Sequence, residues 1–182
     1  MKGLKLLGAL MNKLNCNVYV ATKMTGRDKA EMVQRAYYVC DVLRHWGLTP
    51  ISPVIEEEVP KNEGLLLQSS NEQLKKFWKR DKDIIVYQAH VVLCDEADNK
   101  SLGMEREYGF SRYCLWKPTL TILPKGINVA CFEDDIVVQT VDAAASIIAQ
   151  NWGTCKKRWV WRIKMLVRTL PRWFWRQIIA WR

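Results

Sequence analysis

Only two histidines occur in this chain of 182 residues, and its six cysteines (Cys16, Cys40, Cys94, Cys114, Cys131 and Cys155) contain no C-x-x-C pair. Zinc sites and disulfide frameworks need closely spaced ligands, so neither is expected, and no metal or cofactor is assigned. The cysteines read as buried thiols of a protein in a reducing, cytoplasmic setting. No internal repeat is visible, and no apolar run approaches the ~20 residues that cross a bilayer. Acidic residues stop at Asp142, whereas nine of the 28 basic residues and six of the nine tryptophans lie beyond Gln150. Apart from that end the chain is charge-neutral, and a hydrophobic share of 49% with 26% charged residues excludes a disordered protein.

Strand-like and helix-like segments alternate along the neutral part. Asn17-Val18-Tyr19-Val20-Ala21 is a β-favouring first strand. A helix is expected from about Lys29 to Trp46, with Met32, Val33, Ala36, Tyr37, Cys40 and Leu43 on its apolar face and Arg35, Asp41 and Arg44 in water. Gly47 ends it where a left-handed residue is wanted. Leu48 to Ser52 reads as a short strand that Pro50 confines to the sheet's margin. Residues 53–64, with Glu56-Glu57-Glu58, read as a solvated loop. A helix from Ser70 through Asp81 follows, then a buried strand from His90 to Cys94, an acidic loop from Asp95 to Asp98 and a helix from Gly103 to Tyr113. Pro118 to Leu123 is another buried strand and Val137-Val138 a short one. A last helix runs from Thr140 to Asn151 with Val141, Ala144, Ile147 and Ile148 inward. Such alternation implies a parallel sheet covered by helices on both faces. His90, which opens an apolar strand, reads as structural rather than as a base.

The segment from Ser101 to Ser111 carries the chemistry. Ligands of open α/β sheets bind outside the carboxyl ends of strands, and here a buried strand leads through an acidic loop and Gly103 into a helix bearing Glu105 and Glu107. A helix start favours ionised carboxylates, so both glutamates also suit plain helix capping. Asp81, in Lys79-Arg80-Asp81-Lys82-Asp83, also suits a surface ion pair.

Ser101-x-Gly103-x-x-x-Glu107-x-Gly109-Phe110-Ser111 resembles the signature of the nucleoside 2-deoxyribosyltransferases, a glycine-bearing loop before Glu-x-Gly-aromatic-Ala. Tyr19-Val20-Ala21 is similar to that family's first strand, and Asp81, 26 residues before Glu107, stands where the family has an upstream active-site aspartate. The resemblance covers about Asn17 to Ile148. It implies a flavodoxin-like or Rossmann-like three-layer α/β sandwich acting on a nucleoside or nucleotide. It also implies Glu107 as nucleophile, Asp81 as proton donor to the departing base or hydrogen-bonded to it through its neighbours, and Tyr19 orienting Glu107. Asp98, Ser101, Gly103, Ala21 and Met24 would surround the sugar. A homo-oligomer is implied as well, because family members complete their sites through oligomers. Where many members have an aspartate six residues before the glutamate, this chain has Ser101.

The expected organisation is a body over residues 16–151 between two basic ends. Residues 1–15 form a basic amphipathic segment without the apolar core or cleavage site of a signal peptide. Residues 152–182 form a basic, tryptophan-rich amphipathic helical tail, with Trp159, Val160, Ile163, Leu166, Val167 and Leu170 in one stripe and a break at Pro171. Trp159, Arg162, Arg172, Trp173, Trp175 and Arg176 are its candidate contact residues. An anionic membrane surface suits this pattern, which makes the protein peripheral there. Nucleic acid, where tryptophan stacks on bases, and packing against the body or an oligomer partner are the alternatives.

Overall fold

The computed structural model describes residues 15–22, 28–56, 71–95, 102–123 and 136–169. Strands β1 (Asn17–Thr22), β2 (Thr49–Ile51), β3 (Val91–Asp95), β4 (Thr119–Ile122) and β5 (Ile136–Val138) are interleaved with helices. These are α1 (Lys29–His45), α2 (Pro53–Glu56), α3 (Asn71–Tyr87), α4 (Leu102–Gly109), α5 (Val141–Trp152) and α6 (Cys155–Thr169).

All pairings are parallel, in the order β2-β1-β3-β4-β5. Every residue of β3 and β4 is buried, the mark of inner strands covered on both faces. Val18, Val20, Val91, Leu93, Leu120 and Ile122 face α1 and α5, meeting Val39, Cys40, Leu43, Ala144 and Ile148. Tyr19, Ala21, Val92 and Cys94 face the other layer, where α3 supplies Ile84 and Ile85 and α4 supplies Met104 and Tyr108. The fold is the expected three-layer flavodoxin-like sandwich, and its strand order reverses between β1 and β3.

Local chemistry sets the element ends. Asp28 caps α1 by accepting from the Glu31 amide at 2.9 Å, and Gly47 follows the helix at φ 72°, the left-handed geometry glycine tolerates best. Pro50 lies in edge strand β2, where a missing amide does least harm.

Several expectations are corrected. Tyr37 is 49% exposed and Val39 takes its place in the core, because positions 32, 36, 39, 40 and 43 follow the 3.6-residue period more closely. Arg35 is not a solvated charge but is paired with buried Asp95. Asp95 therefore ends β3 instead of opening a loop. Residues 53–56 form the single turn α2, with Pro53 at its first position. Helix α3 runs six residues past Asp81. There Lys117 donates from Nζ to the carbonyls of Ile85 at 2.5 Å, Val86 at 3.1 Å and Ala89 at 2.5 Å. Those bonds satisfy the last carbonyls of the helix. After Gly109 the helix widens into a π-helical turn, Phe110–Cys114. Of the cysteines described, Cys16, Cys40 and Cys94 are buried as expected, while Cys114 and Cys155 are exposed.

Helix α6 is tied to the end of the body from which the strands set out. Arg158 donates from Nη1 to the carbonyls of Asn15 at 2.7 Å and Trp152 at 3.0 Å. Trp161 packs edge-on against buried Trp152 with ring centroids 5.3 Å apart. Trp152, where the tail was expected to begin, is the last residue of α5 and belongs to the core. Among the described residues no helix is long and apolar enough to cross a membrane.

Candidate functional site

Three side chains from three elements meet beside the point where the strand order reverses. Tyr19, in the middle of β1, is 1% exposed and points into the α3–α4 layer. Met104 and Tyr108, one turn apart on α4, bury themselves in that layer and fix the rotation of the helix. Glu107 is thereby turned towards β1, and the Tyr19 phenol donates to its Oε1 at 2.9 Å. Asp81 enters from α3. The two helices lock together one turn away from each carboxylate, where Trp78 meets Phe110 edge-on with centroids 5.8 Å apart.

The electrostatics follow from this crowding. Burial, reinforced by the Asp81 charge and opposed by the Tyr19 hydrogen bond, pushes Glu107 up to about 8. Burial also raises Asp81. Arg80 opposes that rise by donating from Nε at 2.9 Å and Nη2 at 2.7 Å to one carboxyl oxygen. Burial, followed by the negative charge of Glu107 and Asp81, lifts the Tyr19 phenol well above its ordinary value. Burial thus moves both carboxyls in the same direction, towards the protonated form. Such a pair can deliver a proton, accept one, or supply a carboxylate for attack.

The structure thus brings Tyr19, Glu107 and Asp81 together, with buried Ala21 on the same face of β1. Gly103 sits in the first turn of α4, and a Cβ there would meet no atom within 4 Å. Nothing in the described protein demands a glycine at that position. Glu105 points to solvent, which leaves Glu107 as the enclosed glutamate of the two. Met24, Asp98, Ser101, Arg172, Trp173, Trp175 and Arg176 lie outside the described residues. Trp159 and Arg162 are exposed on α6, far along the chain from this constellation. His90 accepts at Nδ1 from the Asn17 amide at 3.0 Å, a structural use.

Some contributors were not foreseen. Ser111, fully buried, donates from Oγ to the Glu107 carbonyl at 2.6 Å, back-bonding where the α-helix becomes a π-turn. Arg35 holds Asp95 through two bonds of 2.9 and 2.8 Å and so fixes the carboxyl end of β3. The buried hydroxyls of Thr22 and Ser52, at the carboxyl ends of β1 and β2, have no partner among the described residues. Their placement where the strands end was the available signal. Among the described residues no three histidine, cysteine, aspartate or glutamate side chains gather as a metal-holding group.

No family model and no curated protein matches this chain. Among solved structures it is similar to the 2-deoxyribosyltransferase of the psychrotolerant bacterium Bacillus psychrosaccharolyticus. The two are 24% identical with a TM-score of 0.53, over 71% of this chain and 90% of that one. Similarity at this level establishes a common fold, the parallel-sheet α/β sandwich described above.

Proposed function

We propose that this chain breaks and remakes the N-glycosidic bond of a nucleoside or nucleotide, as a deoxyribosyltransferase-like transferase or hydrolase. The observation that carries this reading is the 2.9 Å hydrogen bond from buried Tyr19 to Glu107, with Asp81 close enough to oppose ionisation of both. The fold shared with a 2-deoxyribosyltransferase supports it.

The carboxylate of Glu107 attacks the anomeric carbon of the sugar. The carbon–nitrogen bond breaks, its electron pair passes to the base, and the base takes a proton from Asp81. A second base or a water then attacks the same carbon, Glu107 leaves, and Asp81 recovers its proton. Two inversions give net retention. Asp81 suits the donor role because burial raises it. Ala21 and Gly103 are proposed to border the sugar, and the resemblance adds Asp98, Ser101 and Met24, which lie outside the described residues. The reading needs no cofactor, and it includes a homo-oligomer, which light scattering on the purified chain tests.

One observation favours a second reading, a non-catalytic nucleotide-binding module. With Glu107 pushed up to about 8, its carboxyl is mostly protonated at pH 7 and donates a hydrogen bond instead of attacking. Base release from a panel of nucleosides and 5′-nucleotides, with wild type and Glu107→Ala, separates the two. Release by wild type and its loss in the variant is expected. Binding without release from any substrate would establish the module instead.

A further inference from the structure

Helix α6 uses one side to hold on to the body and leaves the other bare. Arg158 and Trp161 face inward, through the Asn15 and Trp152 carbonyls and the Trp152 ring. On the outer side Trp159 is 60%, Val160 46% and Ile163 50% exposed. Trp159, Arg162 and Ile163 also form one wall of an open groove of about 390 Å³, whose other wall is Val86, Leu115 and Trp116. The apolar surface therefore continues from the helix onto the body.

The helix itself carries one sign of charge. Lys156, Lys157, Arg162 and Lys164 are all exposed on the same helix, and no acidic residue follows Asp142. Exposed tryptophan and branched aliphatic side chains ringed by lysine and arginine complement an anionic lipid surface, where rings and aliphatics enter the acyl boundary and cations meet phosphates. Single-stranded nucleic acid uses cations with aromatic platforms but gains nothing from Val160 and Ile163. We infer that the outer face of α6, together with the groove beside it, docks this protein on an anionic bilayer.

The topology gives the docked orientation. Asn15 precedes β1, Lys117 precedes β4, and Val86 lies at the end of α3 that leads into β3. The lipid-facing surface is thus at the end of the sheet where strands begin. Ligands of such sheets bind at the opposite, carboxyl end. Resting on the reading of Glu107 above, this orientation turns the site towards water, so the substrate arrives from the aqueous phase rather than from the lipid.

Flotation of the full chain with vesicles of phosphatidylcholine, alone or mixed with phosphatidylglycerol, tests the docking. Wild type is expected to float only with the anionic vesicles at low salt. Trp159→Ser with Ile163→Ser loses most of that binding, and Lys156→Ala with Lys164→Ala lowers partitioning roughly thirtyfold, the effect of two cations near an anionic surface. Unchanged circular dichroism and melting show that each variant is folded. Lack of flotation by wild type overturns the proposal. So does equal flotation of wild type and the Trp159/Ile163 variant, or a shift of single-stranded DNA or RNA that this variant alone loses. Flotation reads the docking without any turnover, so it stands or falls independently of base release. Where release is observed, equal rates on a water-soluble nucleoside for free and vesicle-bound protein support the orientation, and loss of the rate on vesicles overturns it.

Discussion

Tyr19→Phe removes one hydrogen bond and little else, because the ring is already buried between sheet and helices. The lost bond is the 2.9 Å contact to Oε1 of Glu107, which favours the ionised carboxyl. A hydrogen bond to a charged acceptor contributes about 1.5–3 kcal/mol, and about 1.4 kcal/mol corresponds to one pKa unit. Losing it moves Glu107 upward by about one to two units from its position near 8. At pH 7 the ionised fraction then drops roughly ten- to hundredfold, a factor of ten for each unit. If ionised Glu107 is the attacking group, single-turnover release of the base slows by the same factor, and the limb of the pH–rate profile that reports its ionisation moves to higher pH. Carbon-13 NMR titration of carboxyl-labelled glutamate follows the same group without turnover, with Glu107→Gln assigning the signal. A Glu107 titration that stays in place would refute the claim that Tyr19 sets its acidity. A shifted titration with an unchanged rate at pH 7 would refute Glu107 as the nucleophile.

Other outcomes follow from the same geometry. Glu107 is raised in the folded chain from the ordinary 4.5 to about 8, so folding favours its protonated form. That stabilisation is whole below about pH 4.5 and is lost as pH rises through about 8. Glu107→Gln therefore raises the melting temperature more at about pH 9 than at about pH 5, and an equal shift at both would count against the buried acid. Arg35→Ala strands the fully buried carboxylate of Asp95, at a cost of about 3–5 kcal/mol. Melting should fall by roughly 2–4 °C for each of those kcal/mol. Arg35→Met with Asp95→Leu should recover most of that loss, whereas a double variant as unstable as the single one would show that the pair is not the cause. Lys117→Met leaves the carbonyls of Ile85, Val86 and Ala89 without their cation. Hydrogen exchange over the last turn of α3 should speed up by roughly five- to a hundredfold, given about 1–3 kcal/mol for an orphaned buried acceptor. Exchange at the wild-type rate would show that the helix end holds without Lys117.

What could be read from the sequence depended on how far away each residue's partner lay. Strand-like and helix-like runs announced the parallel sandwich because their signals, burial runs and 3.6-residue stripes, are local. The end of α3 was not legible, since its last carbonyls are satisfied by Lys117 from about 30 residues downstream. Arg35 passed for a solvated charge because its partner, Asp95, is 60 residues away. Asp81 sits in a run of charges that suggests a surface, yet its carboxyl is buried where α3 meets α4. Glu107 and Tyr19 could be paired beforehand only through the resemblance of their motifs, since 88 residues separate them. Even that pairing specified a contact and not a protonation state. The acidity of Glu107 depends on burial by α4 and β1 and on the charge of Asp81, none of which a motif encodes. The enzyme and the binding module share every residue of the site and differ in where one proton lies at neutral pH, so the Tyr19→Phe titration bears on function more directly than any further comparison of sequences.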